Sequence, residues 1–151
     1  MSICTFIASN HPLPSVEPSQ DYPFEINLDI GTIYDGDADD NFFLTPFRDV
    51  SFYTDKKYGV SLKWRYTCGR TKQLLRYINN ALQNTDRVEL WHVWLMDYYE
   101  YEDSPVIHSR TVSIEELTAK DIKELDEAEV FNRPDKRHPD RPSFYQLIVT
   151  R

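Results

Sequence analysis

The longest apolar run in the chain lies at residues 86–98, where no Gly or Pro interrupts and both parities are rich in aliphatic and aromatic side chains. Val88, Leu90, His92, Trp94, Met96 and Tyr98 fall on one side; Glu89, Trp91, Val93, Leu95, Asp97 and Tyr99 fall on the other. A strand with one wet face alternates with polar residues, so this pattern predicts a strand inside a sheet covered on both sides. One polar ring, His92, sits in the middle of its most apolar part.

Other periodicities arrange themselves around this strand. Residues 2–9 alternate weakly and predict a first strand. Pro12, Pro14 and Pro18 then impose an extended connector. Residues 24–30 alternate strictly, with Phe24, Ile26, Leu28 and Ile30 on the core side. A short strand is expected at 42–44, and a short helix or irregular turn over 46–57. In 60–68, Val60, Leu62, Trp64, Tyr66 and Cys68 share one face, and Gly69 ends the strand. Thr71 is expected to cap a helix over 71–84, whose Leu74, Leu75, Ile78 and Leu82 recur at helical spacing.

Strand, helix and strand within 60–98 predict a β-α-β unit. Residues 106–114 read as the return strand of a hairpin spanning 87–114. With its midpoint near Glu102, that hairpin sets His92 opposite Val112, Trp94 opposite Arg110, Met96 opposite His108 and Leu90 opposite Ile114. Thr118 and Asp121 resemble a capping box opening a second helix over 118–127, with Ile122 and Leu125 inward. Residues 144–150 close the sheet. The expectation is one α+β domain over 1–151, with a mixed sheet of about five to seven strands and both main helices on one face.

Composition supports a core. Of 151 residues 40% are hydrophobic and 14% aromatic, and a domain of this length buries roughly 70% of the surface its unfolded chain exposes. No run approaches the about 18 apolar residues that cross a membrane, and the apolar start lacks a preceding basic segment, so it reads as a strand and not a signal peptide. Two cysteines, Cys4 and Cys68, are too few for a disulfide framework and predict reduced thiols in a cytoplasm.

Charge is segregated along the chain. Residues 1–47 contain eight acids and no Lys or Arg; residues 48–76 hold eight basic side chains against two acids. Residues 86–129 hold thirteen acids against four bases. Pairing between such segments within the fold is the plainer reading, and a polarised surface that steers a partner is the other. The net charge of −8 disfavours a general nucleic-acid binder, whose affinity rests on basic excess.

Four places carry candidate chemistry. His92, Trp94 and Arg110, brought together by the expected hairpin, would line a pocket for an anionic or planar ligand; Arg110 over Trp94 is equally a structural cation–π pair. Tyr98, Tyr99, Tyr101 and Glu102, within an acid-rich tip, would offer wide aromatic contact area to a basic protein partner. Asp35, Asp37 and Asp39 have the spacing of a calcium loop, but Asp40 and Pro46 stand where that loop needs Gly and a bidentate carboxylate, so a solvated turn is expected. The arginines of 133–142 are interrupted by Asp135 and Asp140 and read as a self-paired loop.

No phosphate loop, nucleophile elbow, His-Glu-x-x-His or Cys-x-x-Cys is present, so no metal or cofactor is expected. The preferred reading is a non-catalytic binding or regulatory protein with an acidic, Tyr-rich surface for a basic partner. The alternative is a small-molecule binder or enzyme using the His92–Trp94–Arg110 face.

Overall fold

The computed structural model describes residues 2–17, 25–27, 29, 32–34, 42–62, 67–95, 106–127 and 143–151. In chain order these form β1 (Ser2–Ser9), β2 (Glu25–Asn27), β3 (Thr32–Tyr34), β4 (Leu44–Pro46), a 3-10 turn (Arg48–Phe52), β5 (Tyr58–Leu62), α1 (Cys68–Ala81), β6 (Arg87–Leu95), β7 (Val106–Ser113), α2 (Ala119–Glu127) and β8 (Ser143–Thr150). The expected α+β class holds. Six strands make one mixed sheet in the order β4-β5-β1-β6-β8-β7, and β2 pairs with β3 as a separate ribbon.

β6 is central, as its two apolar parities require. It pairs antiparallel with β1 on one side and with β8 on the other. Val88 and Leu90 join the core beneath the helices, with Ile7, Val60, Leu147 and Val149 of the sheet, Leu74, Ile78, Ile122 and Leu125 of α1 and α2, and Leu82 at the C-cap of α1. Trp91 and Val93 enter a second cluster on the opposite face with Phe6, Ala8, Val50 and Phe144. That face is covered by aromatic packing: Phe6 stacks on Phe47 at 4.5 Å and lies 5.4 Å from Tyr53, which approaches Phe144 at 5.7 Å. Gly59 allows this cover to sit close, because a side chain there would meet the Phe47 carbonyl at 3.1 Å and Val50 at 3.2 Å.

The hairpin expected over 87–114 does not form. β8 inserts between β6 and β7, antiparallel to the first and parallel to the second. The physical reason lies in the strands themselves. β8 carries apolar residues on both parities (Phe144, Leu147, Ile148, Val149), whereas β7 mixes His108, Ser109, Arg110 and Thr111 into both. The more apolar strand takes the interior position and the more polar one takes the edge, overriding the preference for sequence neighbours to pair. Arg110 therefore lies opposite Leu147, and Trp94 lies opposite Ile3.

β5 and β6 run parallel on either side of β1, so the expected β-α-β unit is split by one strand. A second one, β7-α2-β8, joins adjacent parallel strands. Helix α1 starts earlier than its periodicity predicts. Thr67, not Thr71, is its N-cap: the Thr67 hydroxyl accepts the Arg70 N–H at 3.2 Å. The Thr71 hydroxyl donates back to the Thr67 carbonyl at 2.7 Å. Cys68 and Gly69 belong to that first turn and not to a strand end. At the other end of α1, Arg151, just after β8, donates from Nε to the Leu82 carbonyl at 3.0 Å.

Leu90 is fully buried at the contact of β6 with both helices' cluster. Leu90→Ala is expected to cost about 3–4 kcal/mol through lost burial and the cavity left behind. Denaturant unfolding of the two proteins at equal m-value measures it.

Candidate functional site

One row of residues crosses the helix-covered face of the sheet from edge to edge. Leu44 pairs with Leu62, Leu62 with Thr5, Thr5 with His92, His92 with Tyr145, and Tyr145 with His108. Because paired residues on neighbouring strands share a face, the two leucines of this row give way to four polar side chains in succession. Thr5 Oγ1 and His92 Nδ1 are 3.0 Å apart and share a proton donated by one of them. The rings of His108 and Tyr145 stack at 4.9 Å with an 18° tilt.

His92 is a core residue. It is 3% exposed, and its buried Nε2 has no hydrogen-bond partner among the described residues. Burial pushes the imidazole down from 6.5 to about 4, because a charged ring would lose its hydration without gaining a counter-ion. Burial also raises the Tyr145 phenol. Toward the edge, the environment changes. His108 and Arg110 are exposed on β7, and α2 passes alongside them.

Local sequence sets the position of α2. The Thr118 N–H and hydroxyl both donate to Asp121 Oδ2, at 2.8 and 3.0 Å, which is the carboxylate half of the expected capping box. The other oxygen, Oδ1, accepts from Arg110 Nη2 at 2.6 Å. Arg110 Nη2 also lies 3.6 Å from Glu124 Oε2. Burial alone would raise the Asp121 carboxyl, but the Thr118 N–H, the Arg110 guanidinium and the Thr118 hydroxyl together hold it below the usual aspartate value.

A cleft of about 200 Å³ opens between these elements. Tyr145 and Leu147 form its floor, His108 and Arg110 its β7 wall, and Asp121, Glu124 and Leu125 its α2 wall. Its lining carries one guanidinium and two carboxylates, and Lys120, just outside, lies 3.8 Å from Glu124 Oε1. It stops one strand short of His92, which is not among its lining residues.

The structure thus separates what the expected hairpin joined. Arg110 borders the cleft, His92 lies buried behind Tyr145, and the Trp94 backbone sits in β6 beside β1. Tyr98, Tyr99, Tyr101 and Glu102, the 35–40 loop and the 133–142 loop lie outside the described residues. Tyr145, Asp121 and Glu124 went unrecognised as site residues. The signal for Asp121 was its capping position, and Tyr145 becomes visible only once β8 is placed between β6 and β7.

On the aromatic face, Glu89 is buried and its carboxylate accepts the Thr54 hydroxyl at 2.9–3.0 Å and the Gln146 amide at 3.0 Å. Ser109 donates to the other end of that amide at 2.9 Å. Among the described residues no three His, Cys, Asp or Glu converge as a metal site, and no helix is long and apolar enough to cross a membrane. Compared with protein-family models, with curated proteins and with solved structures, the chain matches none.

His92 makes stability pH-dependent in a definite window. Above pH 6.5 the ring is neutral in both states. As pH falls from 6.5 to about 4, the unfolded chain takes up a proton that the folded chain refuses, and stability drops by up to about 3 kcal/mol. Below that the folded ring also protonates and the loss levels off. His92→Leu is expected to flatten this part of a pH–stability profile. Its effect at pH 7 stays within about 1 kcal/mol, because the lost Thr5 hydrogen bond is offset by replacing a polar ring in the core with an apolar side chain.

Proposed function

We propose that this chain is a non-catalytic recognition domain whose α2–β7–β8 cleft accepts one planar, donor-rich cationic group of the size of an arginine side chain. The observation that carries this reading is the charge state of the cleft. Arg110 is held by Asp121 at 2.6 Å, so its own charge is consumed, while Glu124 makes two longer pairs, 3.6 Å to Arg110 and 3.8 Å to the exposed Lys120, and is the carboxylate for which a second cation can compete. An anion entering there would meet an acidic wall, whereas a guanidinium would meet Glu124 and could lie flat against the His108–Tyr145 pair.

Size points the same way. About 200 Å³ is below the roughly 300–1,000 Å³ of pockets that enclose whole cofactors or drug-sized ligands. The reading keeps the class and basic partner favoured from charge alone, and moves the contact from the tyrosine-rich tip to the sheet edge. His92 enters only as packing beneath Tyr145.

Titration of the whole protein with N-acetyl-arginine amide, followed by NMR, tests it. Shifts are expected at His108, Tyr145 and Glu124, with none from acetate at equal ionic strength. Glu124→Gln should weaken binding roughly fivefold, about 1 kcal/mol for one partly exposed charge. Shifts with acetate and none with the arginine amide would reverse the assigned charge of the ligand.

A further inference from the structure

We infer that the cationic group reaches this cleft on an extended basic peptide that adds to β7 as a seventh strand of the sheet. This rests on the cleft reading and names the partner that satisfies it.

The two edges of the sheet are finished differently. At one end β4 is three residues long, ends at Pro46, and is bridged on its outer side by Val16 through two backbone hydrogen bonds of 2.9 and 3.1 Å. A short strand with a proline is a common way of closing an edge against further pairing. At the other end β7 is eight residues long and, among the described residues, is paired only with β8. It contains no Pro, Lys, Asp or Glu, and its single charge, Arg110, is drawn to Asp121 and Glu124. Residues 107–111 are exposed, and Ile107 shows 52% of its surface. The devices that blunt β4 are missing from β7.

Pairing on β7 and filling the cleft are one geometry. A strand added about 4.8 Å beyond β7 directs alternate side chains to the helix-covered face, beside His108 and Arg110. An arginine at such a position can reach across β7 toward Glu124 and the stacked rings. Its neighbours fall on the other face, beside Ile107, Ser109 and Thr111. Backbone hydrogen bonds would supply affinity and the cleft would supply specificity, the division of labour of strand-addition complexes.

Charge selects the partner. Glu115 and Glu116 are exposed just past the end of β7, and Glu124 stands beside its middle. A second copy of this chain would bring net charge −8 against that acidic rim. A two-fold axis through Arg110 would also set one guanidinium against another. A basic peptide meets neither penalty.

The test uses the whole protein and an acetylated octapeptide alternating valine and arginine. Binding is expected to shift the amide resonances of 106–113 and to slow hydrogen exchange at alternate residues of β7. Methylating the peptide backbone nitrogens that face β7 should weaken it at least about tenfold, since each lost backbone bond is felt at this edge. Replacing arginine by glutamate should abolish binding. Ile107→Lys, at an exposed position, should weaken it severalfold and leave the protein's spectrum otherwise intact. If the methylated peptide binds as well as the parent, strand addition is wrong and the cleft reading survives. If the arginine amide also fails to bind, both fall. A concentration-dependent dimer dispersed by Ile107→Lys would give the edge to a second copy and overturn the peptide.

Discussion

The molecule depends on burying β8 on both of its faces. Phe144 must enter the aromatic cluster with Phe6 and Trp91, while Leu147 and Val149 must enter the helix-side core. Only an interior position satisfies both demands. Once β8 stands between β6 and β7, Tyr145 becomes the neighbour of both His92 and His108. β7 is pushed to the edge and α2 must pass back over the sheet to link it to β8. The cleft, the open edge and the burial of His92 all follow from that single insertion.

The interactions that hold the cleft are short-range. Asp121 serves three donors: two from Thr118 at its own helix start and one from Arg110 on the neighbouring strand. A helix cap is thereby turned into a link between helix and sheet, and the carboxylate has little left to offer a ligand. Glu124, with a half-exposed side chain, is held more loosely, at 3.6 Å from Arg110 and 3.8 Å from Lys120. Among the described residues, charges pair both within one segment of the chain and between segments. Arg110, Asp121 and Glu124 come from one acidic segment, and Arg151 lies 3.7 Å from Asp86, the nearest acid after α1.

Two buried polar groups show how the sheet tolerates what it encloses. Glu89 is satisfied by Thr54 and Gln146, so its burial is compensated. His92 has Thr5 as a partner for Nδ1 and, among the described residues, none for Nε2, and burial keeps the ring neutral. The histidine that stands out in the sequence lies buried in the sheet, while the exposed His108, less conspicuous between Ile107 and Ser109, borders the cleft.

What the sequence by itself determined was everything governed by local periodicity. The two apolar parities of 86–95 predicted a central, doubly covered strand; Leu74, Ile78 and Leu82 predicted one helix, and Thr118 with Asp121 the start of the other. Where two local signals competed, as at 67–71, the alternation of 60–68 hid the Thr67 cap. What only the tertiary structure decided was which strands lie side by side. Pairing between β6, β8 and β7 is chosen by comparing how much apolar surface each strand must hide, and that comparison spans some fifty residues of chain and no short window contains it. His92 and Arg110 are conspicuous one at a time, but Tyr145 between them is visible only in three dimensions.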